Sequence, residues 1–158
     1  MAGRVHQINV SQGGVPKRPV PRARITTQGV EGDRQADRVH HGGPLQTVCL
    51  YSLEVIEALQ AEGHPIEPGF AGENLTLAGI DWHSVAPGTM IRAGTCLMEV
   101  TAPTAPCSKN SGWFIDGNFN RMNHSRHPGW SRMYARVIEE GDVVTGDAAE
   151  IVKDGALP

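Results

Sequence analysis

One stretch of this chain, SLEVIEALQAEG at residues 52–63, has the period of an amphipathic helix, and almost everything around it is cut short by glycine and proline. Leu53, Ile56 and Leu59 recur three apart, Ser52 stands where an N-cap belongs, Glu54 falls in the first turn and Gly63 marks the stop. Aromatics make up only 5%, while 19 Gly and 11 Pro are spread over 158 residues. Such a chain favours many short elements joined by defined turns, so the expectation is a mainly β domain with a few helices, in the broad α+β class. The length is that of one domain, with one core and no linker, repeat or low-complexity tract to divide it.

Strands are read from alternation and from the turns that end them. In RVHQINVSQGG, His6, Ile8 and Val10 alternate against Arg4, Gln7 and Asn9, and the two glycines close a first strand. SVAPGTMIRAGTCLMEVTAP reads as two strands, the second with Cys96, Met98 and Val100 on one face. The run through Trp130, Met133, Tyr134, Val137 and Ile138 fits a helical stripe as well as a strand. After it, turn signals at Glu140–Asp142 and Gly146–Asp147 around short β-branched runs predict a hairpin.

A formal charge of -3 points neither to a nucleic-acid binder nor to an acidic tail, and no basic stripe is interleaved with aromatics. The start, MAGRVHQINV, lacks the apolar run of a signal peptide, and no segment approaches the ~20 apolar residues that span a bilayer, so a cytoplasmic protein without membrane attachment is expected. Three cysteines, Cys49, Cys96 and Cys107, form no CxxC pair and no disulfide framework. Cys49 and Cys96 read as small buried hydrophobes.

Chemistry-bearing residues concentrate in four places. Lys17, Arg18, Arg22 and Arg24 put four of the fourteen basic residues close together, a candidate contact for an anion. GVEGDRQADRVHHGG, residues 29–43, crowds Asp33, Asp37, His40 and His41 between glycines with little to bury; Asp33 and Asp37 also suit local backbone capping. GFAGENLT, residues 69–76, has glycine spacing that lets backbone approach a ligand, with Asn74 and Thr76 as donors and acceptors, but lacks the lysine of a phosphate-binding P-loop. TAPTAPCSKN, residues 101–110, carries Cys107 and, two residues on, Lys109, whose charge favours a thiolate. His124 and His127 with Cys107 fall outside zinc-finger spacing, and a cysteine-hydrolase set of Cys107, a histidine and an acid is equally unforced, since such partners meet only in space.

Taken in order, GVEGDRQAD, HHGG, GFAGENLTLAGID, APCSK and ARVIEEGDVVTGD resemble the MOSC domain, the module named after the C-terminal part of molybdenum-cofactor sulfurases, in its small stand-alone bacterial form. The resemblance runs from about residue 10 to 152. It implies a closed β-barrel with a few helices and a strand at 133–139. It also implies a molybdopterin-type molybdenum cofactor, with Cys107 matching the family's motif cysteine as thiolate ligand of the metal or carrier of a persulfide sulfur. For the cofactor's phosphate the candidates are Lys17, Arg18 and Arg24; for the pterin, Asn74, Thr76 and the backbone around Thr104; for roles beside Cys107, Lys109, Asp33 and His41. Thr104 and Ala105 stand where stand-alone members often carry arginine.

Related members reduce N-hydroxylated bases and similar compounds, which implies a molybdenum-dependent oxidoreductase acting on a small molecule. The chain has neither a four-cysteine cluster motif nor GxGxxG, so a separate flavin or iron–sulfur reductase is the expected electron donor. Pyridoxal phosphate belongs to fused members and is not expected here. The alternative is a non-catalytic carrier of the cofactor or of persulfide sulfur.

Overall fold

The computed structural model describes residues 3–34 and 45–153. Two neighbouring strands, β5 (Val48–Ser52) and β6 (Leu75–Ala78), pair in parallel with Leu50 opposite Leu75. A parallel pair cannot be joined by a tight turn, and the crossover is made by α1 (Leu53–Ala61). This is the expected helix. Ser52 is its N-cap, its side chain accepting from Val55 N at 3.2 Å, and Val55, Ile56 and Leu59 form the buried stripe; Gly63 follows with a positive φ.

The remaining strands are β1 (Gly3–Val10), β2 (Arg18–Val20), β3 (Arg22–Thr26), β4 (Gly29–Val30), β7 (Met90–Ala93), β8 (Cys96–Thr104), β9 (Arg132–Glu139), β10 (Gly141–Val144) and β11 (Ala148–Val152). Five of these join β5 and β6 in a ring of seven, in the order β11-β7-β8-β9-β5-β6-β1, with Gly3 of β1 opposite Ala149 of β11 completing it. β2 extends the sheet from β1, and β10-β3-β4 form a separate three-stranded sheet. The expected closed barrel is therefore present, and residues 133–139 of the ambiguous run lie in strand β9 as the resemblance implied. Closure hides the strand edges and encloses a core in which Ile8, Leu50, Leu75, Leu77, Ile91 and Met98 have no exposed surface.

Two expectations are corrected. In β1 the buried residues are Gly3, Val5, Ile8 and Asn9, and not His6 or Val10, because a register shift between Val5 and Gln7 resets which side chains face inward. The C-terminal segments are strands but not a hairpin: β10 pairs with β3, whereas β11 pairs with β7 and β1. Among the described residues, no helix is long and apolar enough to cross a membrane.

Candidate functional site

Three loops converge outside the barrel strands and enclose a half-open cavity of about 650 Å³, open space at its mouth included. The turn after β1 brings Gly14 and Val15; the glycine loop before β6 brings Ala71 and Gly72; the segment after β8 brings Ala105, Cys107, Lys109 and Asn110. Gly72 sits at φ +104°, a conformation L side chains rarely adopt, and a Cβ there would come within 3.0 Å of Val15. Glycine thus lets the first two loops meet.

Cys107 is half-exposed at the cavity wall, directly before the 3-10 turn Ser108–Trp113, with its carbonyl accepting from Asn110 N at 2.9 Å. A second thiol, Cys49 on β5, borders the same space, although the sequence marked it only as a core residue. It is buried, its sulfur lies 3.8 Å from Thr104 Oγ1, and burial pushes its thiol up, so it is held protonated. Cys96 is fully buried in β8, where burial pushes its thiol up to about 12. Of the three, only Cys107 is accessible.

The predicted basic cluster is split by the fold. Lys17 borders the cavity, but its ammonium is bound at 2.7 Å to both oxygens of Asp33, and the side chains are 8% and 6% exposed. Asp33 also accepts from Ser11 N and from Asn74 Nδ2, at 2.8 and 2.9 Å. Lys17 and Asp33 therefore form a buried, internally satisfied pair. Arg18, Arg22 and Arg24 are exposed on β2 and β3 and do not line the cavity; Arg24 pairs with Asp142 at 3.3 Å.

Asn74 borders the cavity, yet its amide is committed: Oδ1 accepts from Cys49 N at 3.0 Å and Nδ2 donates to Asp33. Thr76 is fully buried behind it, donating to Glu73 Oε2 at 2.8 Å and accepting from Asn9 Nδ2 at 3.1 Å. Thr104 is buried against Cys49. Neither threonine lines the cavity. His41, His40 and Asp37 lie outside the described residues. Among the described residues, no group of three or more His, Cys, Asp and Glu side chains is placed to hold a metal ion, and His124 and His127 join no such group.

Lys109, a candidate from the sequence, lines the same cavity, and the structure adds Arg34 and Arg132, with Asn110 and Tyr134. None of the described lining residues is acidic, so the space is electropositive in a chain of net charge -3. Arg132 opens β9 directly opposite Thr104 of β8. The charge absent from the thiol's own strand thus enters from the neighbouring one. Two buried polar atoms of lining residues lack a partner among the described residues: Arg132 Nε, a donor, and Asn110 Oδ1, an acceptor. A thiol beside Arg34, Lys109 and Arg132 suits an anionic ligand with a soft centre. Arg34 and Asn110 lay in stretches the sequence flagged, Asn110 three residues after Cys107; Arg132 carried no sequence signal, because only strand register brings it here.

The MOSC domain matches residues 37–150 of the chain. YflK of Bacillus subtilis (strain 168), described as uncharacterized, is 34% identical over 144 residues, which make up 90% of this chain and 64% of that protein. YiiM of Escherichia coli (strain K12) is 33% identical over 134 residues, 81% of this chain and 58% of that protein. The chain spans less than two thirds of the length of these two relatives. The crystal structure of YiiM from Geobacillus stearothermophilus is similar at TM-score 0.74 and 28% identity, covering 98% of this chain and 78% of that one.

Proposed function

Because the chain belongs to the MOSC domain family, we propose that its cavity holds a molybdopterin-type molybdenum cofactor and that the protein uses it to reduce N-hydroxylated and related N-oxygenated compounds. The family's association with molybdopterin binding supports a general cofactor-binding role. The observation that carries the proposal is the convergence of one accessible thiol and several cations on a cavity with no acid among its described lining residues.

The donor set fits the group. Cys107 provides the soft sulfur that a molybdenum–sulfur site favours, and Cys49, kept protonated by burial, does not compete with it. Arg34 and Lys109 would meet the terminal phosphate, Arg34 with its planar fork. Asn110, which borders the cavity, would offer its amide to the pterin in the role first assigned to Asn74. The Lys17–Asp33 pair serves instead to fix Asn74 and the first loop. When bound, the cofactor supplies a two-electron redox centre.

The overall reaction takes an R–NH–OH group, two electrons and two protons to R–NH2 and water, with the electrons delivered by a separate flavin or iron–sulfur reductase. The test is reduction of an N-hydroxylated purine by cofactor-loaded protein with a reduced viologen dye as donor. Turnover in the parent, falling to background in Cys107→Ser, is the expected result. Stably bound cofactor with no turnover would replace the enzyme by a carrier of cofactor or sulfur.

A further inference from the structure

Arg132 is 6% exposed and holds no carboxylate within ion-pair distance among the described residues. Its Nη1 donates to Ala71 O at 2.8 Å and its Nη2 to Ala105 O at 3.3 Å, so one guanidinium ties the glycine loop to the cysteine loop. Its Nε donates to nothing among the described residues. Two carbonyl dipoles do not neutralise a full charge, and a buried cation without a counter-charge is costly to desolvate. No nearby acid pairs with it. Asp33 is taken by Lys17, and the fully buried Glu73, its Oε2 accepting from Gly69 N and Thr76, forms no ion pair with Arg132. A cation without a carboxylate partner among the described residues borders the cavity, where a ligand can reach it.

We propose that Arg132 is the cavity's oxyanion receptor: a phosphate-class oxygen of the bound ligand completes the charge left open in the folded chain, and the same contact locks the Gly72 and Cys107 loops at their present separation. The inference rests on this cavity being the ligand site, as in the reading above, but not on which cofactor fills it. The shared chemistry is a tetrahedral oxyanion, free or as a phosphate monoester.

Thermal unfolding of the full chain with rising inorganic phosphate, at ionic strength held constant with chloride, reads the site without any cofactor. The parent is expected to gain Tm with phosphate and to protect Cys107 from iodoacetamide in the same concentration range. Arg132→Gln keeps a donor for one carbonyl and removes the charge; its phosphate affinity falls about tenfold or more, while Arg132→Lys retains part of it. No phosphate effect on the parent, by either measurement, overturns the proposal without requiring any variant to fold. An undiminished effect in Arg132→Gln also overturns it and leaves the guanidinium a loop tie alone.

The source of the anion is read from the pterin co-purifying with each protein. Lower pterin content in Arg132→Gln than in the parent assigns the site to the cofactor's phosphate; equal content with a lost phosphate effect assigns it to a free anion. A parent devoid of pterin would remove the cofactor reading while the phosphate titration still decides Arg132.

Discussion

Glu73 is fully buried, and burial is the main reason its carboxyl is pushed above the ordinary 4.5. The folded chain therefore keeps a proton that the unfolded chain releases above about 4.5, so this contribution to stability is complete below that pH and is lost as pH rises through the folded-state value. Glu73→Gln lacks this titration. Its urea midpoint is expected to fall less than the parent's between roughly pH 4 and pH 8, and a parent curve parallel to the variant's would contradict the assignment. The Lys17–Asp33 pair gives a second test at this scale. Removing one partner strands a buried charge, so Asp33→Ala is expected to cost about 3 kcal/mol in chemical unfolding. The Lys17→Met, Asp33→Asn double variant is expected to lose less than the two single changes added together. Sequence displayed these charges but not their pairing: Lys17 was grouped with Arg18 and Arg24 by proximity along the chain, whereas its partner is 16 residues away.

At the scale of elements, what could be read from the sequence was what local interactions determine. The cap and stop of α1 lie within twelve residues of one another, and β7 and β8 are separated by a tight turn, so pattern and structure agree there, although Val55 rather than the half-buried Leu53 joins Ile56 and Leu59 in the buried stripe. Ser52→Ala removes the acceptor for Val55 N from a buried cap, and about 1 kcal/mol of stability should go with it, measured by urea unfolding. β10 and β11 were legible as strands but not as members of different sheets, because partner choice depends on residues over 100 positions earlier, as in Gly141 opposite Ile25. The same limit hid Arg132. Its significance comes from lying opposite Thr104 across β8 and β9 and beneath the 69–76 loop, a placement no local pattern encodes.

For the whole molecule, the decisive event is ring closure between the first and last strands. Gly3 sits between β6 and β11 with so little room that a Cβ would lie 2.6 Å from Ala78 O and 2.8 Å from Ala149 O, both backbone atoms. Gly3→Ala should therefore open or distort the β1–β11 seam at a cost of roughly 2 kcal/mol or more, seen as lost amide protection on β11. The closed barrel became legible only through the order of five motifs, not through any one strand, and the cavity loops are fixed to that barrel by β1, β6, β8 and β9. Its central consequence is that Cys107 alone presents an accessible sulfur to an electropositive site. The most direct test is the molybdenum and pterin content of the purified full chain and of Cys107→Ser, both produced in a host that makes the cofactor. The account predicts stoichiometric molybdenum and pterin in the parent, and in Cys107→Ser a loss of molybdenum greater than the loss of pterin, since Arg34, Lys109 and Asn110 remain. A parent carrying neither, or a serine variant with undiminished molybdenum, would contradict it.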